Sequence, residues 1–402
     1  MGFAFPQQRS IMLKILFVID GLWVGGTERS LADMLPYLVK SDIDPLIACL
    51  RQCGNEGVEN EVLRRGFNVH FLNGKNLFAK AQNLRRLIRD TKPHIVHTAL
   101  TNANFVGRIA AMGLLVAVIS SLINTPYAAV RLKDPKIDAR KLRVVQMFDG
   151  WTSRHLTTHF HAVSQAAKAA AINDLRVSAE RITVVERGRD TTRLGQPSPE
   201  RRQQARLRLG LQSDDQVMVN VGRQDYQKGQ KYLLEAMAKL VKKRSRLVLL
   251  IAGRSGNVSP DLVKLKAQLH LDGQVRFLGH REDIPEILAA ADLFVFPSLF
   301  EGLPGAVIEA MALGLPIVAS DIPPVREVVD ENRNAILVAP ASSSELAKAI
   351  AMLLDDRDKA AAFGRDSRKI FETRFTLQQS TARMIELYHQ VAAFKNGKQI
   401  VA

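Results

Sequence analysis

The glutamates at positions 301 and 309 are the strongest candidates for chemistry in this sequence. Glu301 and Glu309 flank a Gly-Leu-Pro-Gly turn, residues 302–305, that opens a predicted helix. The first N–H groups of a helix have no partner inside it, and the helix dipole adds positive character, so they can bind an anion. A helical side chain tilts towards the helix N-terminus, so Glu309 can reach the same ligand. The pattern predicts a ligand with both phosphate and hydroxyl groups, such as a phosphorylated sugar.

A simpler interpretation makes Glu301 a solvated loop residue and Glu309 a surface residue of the helix. The surroundings of Glu309 argue against it, because residues 306–312 are otherwise apolar. A charged side chain on so apolar a face requires a partner. The sequence therefore predicts that Glu309 is paired.

Two cations follow the predicted strand at 217–221, in the loop before the next helix. Arg223 can bind phosphate through its planar fork of donors, and Lys228 as a point charge. The alternative is a surface ion pair with Asp225. A glycine pair before Thr27 supplies free amides at another helix start, but it lacks the Gly-x-Gly-x-x-Gly spacing of a dinucleotide site.

Metal chemistry has little support in the sequence. The histidines lack the spacing of zinc ligands, and no Asp-x-Asp pair suits a metal site. Cys49 and Cys53 are too few for a disulfide framework. We therefore predict no metal and no cofactor, and a reducing compartment such as the cytosol.

The elements that must position these residues follow a regular alternation of short apolar segments and longer helical ones. This predicts parallel sheets covered by helices on both faces. The predicted strands are residues 14–19, 46–50, 68–72, 95–97, 116–121, 161–163, 182–185, 217–221, 246–251, 275–278, 293–296, 316–319 and 335–338. A polar, arginine-rich stretch at 195–208 interrupts this alternation, and its Gly-Gln-Pro-Ser-Pro-Glu start, residues 195–200, is the predicted linker. The fold class is thus α/β, with two doubly wound domains, 1–195 and 196–375, facing each other across a cleft at the carboxyl ends of the strands.

The chain is strongly basic, with 56 basic and 40 acidic residues and a formal net charge of +16. The densest group of basic side chains adjoins an apolar helical stripe at 144–148. This basic patch consists of Arg131, Lys133, Lys136, Arg140, Lys141 and Arg143. Such a segment can sit on an anionic membrane surface, or it can be a solvated loop whose apolar side packs into the core.

Neither a signal peptide nor a transmembrane helix is predicted. The first ten residues have no apolar core long enough for a signal peptide. The most membrane-like stretch, 109–123, is shorter than the roughly 20 residues needed to span a bilayer. Met12 is an alternative start to Met1, because a predicted strand follows it at once.

Several short motifs, taken in order, are similar to those of a known family. They are Gly-Gly-Thr-Glu at 25–28, Val-Ser at 163–164, Ile-Thr-Val-Val at 182–185, Val-Gly-Arg-x4-Lys-Gly at 221–229, Phe-Leu-Gly at 277–279, Ala-Asp-Leu-Phe-Val-Phe-Pro-Ser at 291–298 and Glu-x7-Glu at 301–309. Each motif is weak alone, but together they span nearly the whole chain. The chain thereby resembles the retaining glycosyltransferases of family 4, which have the GT-B architecture of two facing Rossmann-like domains.

The resemblance implies a donor site in the second domain. Arg223 and Lys228 would hold the diphosphate of a nucleotide sugar and stabilise its charge as it leaves. Glu301 would accept hydrogen bonds from the donor sugar, and Glu309 from the ribose. The implied donor-binding residues are Gly26, Arg223, Lys228, Glu301, Gly302, Leu303, Pro304, Gly305 and Glu309.

In the first domain, the resemblance places Gly26 beside the diphosphate in the closed cleft, and Thr27 and Asn124 on the acceptor side. The sequence departs from the family in two places. Asn124 stands nearest to the position of a histidine that many members carry, so the role of that histidine does not transfer. The usual Pro-Asn-Gly-Val-Asp is replaced by Glu-Arg-Gly-Arg-Asp at 186–190, whose arginines would touch an anionic acceptor or be exposed.

These expectations together favour a retaining, metal-independent glycosyltransferase. It would move a hexose from a nucleotide-diphosphate sugar to a glycan or lipid-linked acceptor in cell-surface polysaccharide or glycolipid biosynthesis. The alternatives are another GT-B enzyme, such as a sugar-nucleotide epimerase, and a basic polyanion-binding protein. Nucleic acid is not an expected partner, because aromatic stacking platforms are lacking.

The expected location is the cytoplasm, at the inner face of its membrane if the basic patch binds lipid. By the resemblance, a final helix in segment 376–402 would cross back to the first domain.

Overall fold

Short apolar runs form two parallel sheets, one in each half of the chain. The computed structural model describes residues 12–395 apart from Val24, Asn55, Glu56 and Pro135, so the expectations about the first ten residues and a start at Met1 lie outside the described residues. The first sheet contains β1 (Leu13–Ile19), β2 (Ile43–Cys49), β3 (Val69–Phe71), β4 (Ile95–Ala99), β5 (Ala117–Leu122), β6 (His159–Ala162) and β7 (Ile182–Val184). The second contains β8 (Gln216–Val221), β9 (Leu247–Ala252), β10 (Val275–Gly279), β11 (Leu293–Phe296), β12 (Ile317–Ser320) and β13 (Ala335–Val338).

The strand orders are those of doubly wound sheets. They run β3-β2-β1-β4-β5-β6-β7 in the first domain and β10-β9-β8-β11-β12-β13 in the second, and neighbouring strands pair in parallel. Strands covered on both faces read as continuous apolar runs. In β9, for example, all six residues are buried. The predicted fold class of two tandem Rossmann-like domains is confirmed.

The helices of the first domain are α1 (Gly26–Lys40), α2 (Glu59–Arg64), α3 (Leu77–Thr91), α4 (Thr101–Ala111), α5 (Ala139–Leu156), α6 (Gln165–Leu175) and α7 (Thr191–Leu194). Those that follow are α8 (Pro199–Arg208), α9 (Gln230–Leu240), α10 (Ser259–Gln268), α11 (Ile284–Ala289), α12 (Gly305–Ala312), α13 (Pro323–Arg326), α14 (Ser343–Asp355), α15 (Arg357–Arg374) and α16 (Leu377–Lys395). Within the described ranges, none of these helices is both long and apolar enough to cross a membrane.

The connection between the domains is shorter than the arginine-rich stretch at 195–208, because α8 begins at Pro199, inside the predicted linker at 195–200. Ser198 caps this helix by accepting a hydrogen bond from the N–H of Arg201, and a proline occupies the first helical position. The arginines of this helix are held by the second domain. Arg201 pairs with Glu286 over 2.9 Å, and Arg206 pairs with Asp292 over 2.8 Å.

The chain crosses between the domains twice, and the two crossings are hydrogen-bonded to each other. The N–H of Arg189 donates to the carbonyl of Phe375, and the N–H of Leu377 donates to the carbonyl of Arg189, each over 2.9 Å. A Cβ on Gly188 would stand 2.3 Å from the carbonyl oxygen of Thr376, so only glycine fits there. We call residues 187–189 and 375–377 the hinge.

After the hinge, α16 packs against the first domain. Met384, Leu387 and Tyr388 are buried in the same core as residues of β1 and α1. The helix α16 is therefore part of the first domain's core. Deleting a large buried side chain of this kind costs about 2–5 kcal/mol of stability.

A buried chain of hydrogen bonds runs from α16 across the first sheet. His161 Nε2 contacts the carbonyl of Val185 at 2.9 Å, so it carries the proton and Nδ1 accepts from Ser121. The oxygen of Ser121 then accepts from His97 Nε2 over 2.8 Å, and His97 Nδ1 accepts from the hydroxyl of Tyr388 over 2.8 Å. This order of donors and acceptors requires neutral imidazoles, which burial favours because it lowers the pKa of His97 to about 3 and of His161 to about 4.

Candidate active site

Glu301 and Lys228 lie in direct contact, although 73 residues separate them in sequence. Glu301 follows β11 and is buried, while Lys228 ends a short 3-10 turn after β8. The ammonium donates a 2.6 Å hydrogen bond to Glu301 Oε1 and lies 5.5 Å from the centre of the Phe296 ring. The backbone can turn there because Gly229 has a positive φ of 59°, and a Cβ on it would meet the carbonyl of Pro297 at 2.1 Å.

The turn after Glu301 is pressed against the first domain. A Cβ on Gly302 would stand 2.0 Å from the carbonyl oxygen of Ile123 and 2.8 Å from the Cα of Asn124. The hydroxyl of Ser164, at the start of α6, donates a 2.6 Å hydrogen bond to the carbonyl of Gly302. The cleft is therefore closed at this point, and Asn124 from the predicted acceptor side lies beside the predicted donor site.

The N-terminus of α12 offers fewer free amides than the sequence suggested. Pro304 is the residue before the helix and has no N–H. The N–H of Gly305 donates to the carbonyl of Leu303 within the turn, over 2.9 Å. Of the three positions 303–305, Leu303 remains as the one whose amide is not used inside the turn.

Glu309 is paired, as its apolar surroundings require. Arg189 of the hinge donates to Glu309 Oε1 over 2.7 Å, and Arg193 lies 3.9 Å from the same oxygen. The side chain of Arg189 is 3% exposed and that of Glu309 15% exposed. One Arg189 nitrogen would stand 1.9 Å from a Cβ on Gly305, so the guanidinium lies directly at the start of α12.

Gly26 faces the same arginines from the first domain. A Cβ on Gly26 would stand 3.2 Å from Arg187 Nη1 and 3.9 Å from Arg189 Nη2. Arg187 also donates a 2.9 Å hydrogen bond to the hydroxyl of Thr27. The hinge arginines thus lie between the helix starts at Gly26 and Gly305, rather than being exposed.

Arg223 lines a cavity between the two domains. It donates to Asp225, which is the ion pair considered as the alternative, but its side chain remains 60% exposed. The cavity has a volume of about 640 Å³ and is lined from both domains, by Arg223, Asn124 and Arg131 among others. Neither Lys228 nor the two glutamates line it.

The basic patch is divided by the structure. Arg131 and Lys136 lie towards the cleft, where they donate to the carbonyls of Pro126 and Asn257. Lys136 is nevertheless exposed, as are the remaining members: Lys133, Arg140, Lys141 and Arg143. Arg140, Lys141 and Arg143 lie in the first turns of α5 itself, and Lys133 precedes the helix.

Sequence reasoning missed the positions of Arg187 and Arg189. It noted both as departures from the family but assigned neither to the donor site. Their contacts with Thr27 and Glu309 join residues 160 and 120 positions apart. The available signal was two cations one residue apart at the end of the first domain, where the chain must enter the cleft.

Comparison with known protein families agrees with this architecture. The model "Glycosyltransferase Family 4" matches residues 24–193, and the model "Glycosyl transferases group 1" matches residues 201–370. The two matches are consecutive and correspond to the two sheets. This chain belongs to the GT-B glycosyltransferases of the family 4 type.

Two characterised relatives show what this glycosyltransferase is similar to. The alpha-D-kanosaminyltransferase of Streptomyces kanamyceticus is 28% identical over 62% of this chain and 70% of its own. The UDP-Gal:alpha-D-GlcNAc-diphosphoundecaprenol alpha-1,3-galactosyltransferase of Escherichia coli is 28% identical over 68% of this chain and 70% of its own.

Among solved structures, the glycosyltransferase is similar to Anabaena Alr3699/HepE in complex with UDP-glucose. The TM-score is 0.82 with 23% identity, over 94% of this chain and 100% of that one. At that identity the likeness concerns the fold, which is the same two-domain arrangement.

Proposed function

We propose that this glycosyltransferase moves a hexose from a nucleotide-diphosphate sugar to a glycan or lipid-linked acceptor, with retention of the anomeric configuration and without a metal ion. The observation that carries the proposal is the 2.6 Å contact of Lys228 with Glu301, beside a turn that the first domain closes. The lysine supplies positive charge for a leaving diphosphate, and Glu301 can still accept sugar hydroxyls through its other oxygen. The Escherichia coli relative, whose name gives UDP-galactose as the donor and a diphosphoundecaprenol-linked sugar as the acceptor, makes UDP-sugars and lipid diphosphates the first candidates.

The ion pairs of Glu301 and Glu309 decide which route to retention we propose. Glu301 pairs with Lys228 and Glu309 with Arg189, so each is committed to an ion pair. A carboxylate held in this way is suited to positioning hydroxyl groups and is a weak nucleophile. Front-face attack by the acceptor fits better, with an oxygen of the leaving phosphate taking the acceptor's proton. Cell-surface polysaccharide or glycolipid biosynthesis, at the cytoplasmic side of the membrane, remains the proposed setting.

A thermal-shift panel of UDP-, GDP- and ADP-sugars tests the proposal. A ligand that binds only the folded state raises the melting temperature, by an amount equivalent to about 2.7 kcal/mol at a hundred times its Kd. We expect one nucleotide to stabilise the protein, and the effect to persist in EDTA. Absence of a shift with all three classes would sink the proposal, and a shift abolished by EDTA would remove metal independence alone.

We further propose that α5 docks on an anionic membrane. Apolar side chains of this helix are exposed at helical spacing: Val144 by 66%, Met147 by 69%, Phe148 by 45% and Trp151 by 48%. Exposed cations adjoin the stripe, and an apolar stripe flanked by basic residues binds anionic lipid surfaces. With α5 docked in this way, a lipid-linked sugar acceptor is presented to the enzyme from the bilayer.

Liposome co-sedimentation tests the docking proposal. Charge reversal of Arg140, Lys141 and Arg143 is expected to release the protein from vesicles with phosphatidylglycerol, whereas reversal of the exposed Lys242 and Lys243 leaves binding intact. Equal binding to neutral phosphatidylcholine vesicles would contradict the proposal.

A further inference from the structure

Arg187 differs from the other cations around the donor site. Arg189, Lys228 and Arg223 each donate a hydrogen bond to a carboxylate. Across the described part of the chain, no carboxylate oxygen lies within 4.0 Å of the Arg187 guanidinium. Its side-chain hydrogen bond goes to the neutral hydroxyl of Thr27. Arg187 therefore holds a full charge without a directly bound counter-ion.

The position of Arg187 makes that charge costly. Its Nη1 lies 3.2 Å from where a Cβ on Gly26 would stand, at the start of the 15-residue helix α1. Arg189 approaches the same point to 3.9 Å. Two guanidinium groups and the positive end of a helix dipole thus converge on one place. Like charges held this close favour the arrival of an anion between them.

Burial of Arg187 further favours the binding of an anion beside it. It lowers the pKa of Arg187 to about 10, and the neighbouring charge of Arg189 acts in the same direction, against the opposing effect of Glu28 and Glu301. Burial also raises the pKa of Glu28, so this carboxylate is a reluctant counter-ion. A desolvated guanidinium with free donors is well suited to bind phosphate oxygens in pairs.

We propose that Arg187 binds a phosphate group of the substrate from the first domain, across the cleft from Lys228. This inference rests on the proposed function. The phosphate belongs either to the donor's diphosphate or to a lipid-diphosphate acceptor, which present the same oxygens to the arginine. In both cases a residue of the hinge contacts substrate, so substrate binding and closure of the domains are linked.

Isothermal titration calorimetry on the full-length protein tests this inference. The probes are UDP, GDP and ADP for the donor, and farnesyl diphosphate for the acceptor. The variant is Arg187→Gln, with Arg187→Lys as the conservative change. Arg86→Gln, at an exposed arginine of α3 outside the cleft, is the matched control. Circular dichroism and melting curves check that each variant folds.

If Arg187 binds the donor's diphosphate, Arg187→Gln weakens binding of the preferred nucleoside diphosphate by about tenfold or more, because charge-assisted hydrogen bonds are of that strength. Arg187→Lys recovers part of the affinity, and Arg86→Gln matches the wild type. If the acceptor supplies the phosphate, the loss appears with farnesyl diphosphate instead. Wild-type affinity of folded Arg187→Gln for both probes overturns the inference, whereas failure of the wild-type protein to bind any nucleoside diphosphate overturns the proposed function itself.

Discussion

Arg189 of the hinge donates a 2.7 Å hydrogen bond to Glu309 on α12, and the arginine side chain is almost fully buried. The residue proposed to hold the ribose is therefore tied to the segment about which the domains would move. A buried ion pair positions its carboxylate well, but removing one partner leaves an uncompensated charge. This relationship determines which substitutions can test the site cleanly.

We expect Glu309→Gln to abolish most transferase activity and to lower the free energy of unfolding by about 3 kcal/mol, because Arg189 loses its counter-ion. Truncation to alanine would add a cavity to the same loss. Urea denaturation and donor turnover are the two measurements. The double variant with Arg189→Met should recover part of the stability but none of the activity. Full turnover by folded Glu309→Gln would refute the assigned role.

Lys228→Met is expected to lower kcat by roughly 100-fold, because a preorganised charge at the leaving group contributes on that scale. Because Glu301 is buried and loses its counter-ion, the free energy of unfolding should fall as well, and melting curves separate that loss from the loss of rate. Lys231→Met is the matched control, since that lysine lies on the following helix and is 64% exposed. Initial rates over a range of donor concentrations measure the effect. Equal rates for the two variants would remove Lys228 from the chemistry.

Gly302→Ala is expected to force the domains apart at the donor turn, because its Cβ would stand 2.0 Å from the carbonyl oxygen of Ile123. The measurement is the radius of gyration from small-angle X-ray scattering, together with KM for the donor. Both should rise. Gly273→Ala is the control, since a Cβ there meets nothing within 4 Å. An unchanged scattering profile for Gly302→Ala would mean that the closed contact does not form in solution.

Acid is expected to destabilise the protein through His97 and His161. Each is neutral in the folded state, with its pKa lowered from 6.5 to about 3 and about 4. The unfolded chain therefore binds more protons below pH 6.5, so stability is retained above that pH and lost as pH falls towards 4. Each histidine contributes a loss of roughly 1.5 kcal/mol between pH 6.5 and 5.

Denaturant unfolding at several pH values measures this slope. His97→Gln should reduce the slope by about half, since His161 still contributes its share, although the variant starts from a lower stability because it replaces one buried hydrogen bond imperfectly. His389→Gln changes an exposed histidine on the same helix as Tyr388 and should leave the slope unaltered. An undiminished slope in His97→Gln would place the acid sensitivity elsewhere.

The strands of both sheets could be predicted from sequence because each is a short apolar run covered on both faces. The prediction failed where an element has a mostly polar surface. The helix α8 was not predicted, since its arginines pair with Glu286 and Asp292, more than 80 residues away. The long helix α15 was not predicted at all, because its apolar residues are few and widely spaced.

For the site, local motifs predicted the residues but not their partners. The sequence indicated that Glu309 must be paired, yet nothing near it in sequence identifies Arg189. The same holds for the contact of Gly302 with Ile123, which joins two domains. Such contacts depend on how one sheet is placed against the other, and a single sequence does not encode that as a periodic pattern.

The return of α16 to the first domain has a consequence for synthesis of the chain. The core beneath β1 includes Tyr388, which is fully buried, so this core is incomplete until the last helix has left the ribosome. The second domain emerges earlier and contains its own sheet. The half of the protein that is translated first is thus the half that finishes folding last, and it passes through synthesis with an apolar groove open.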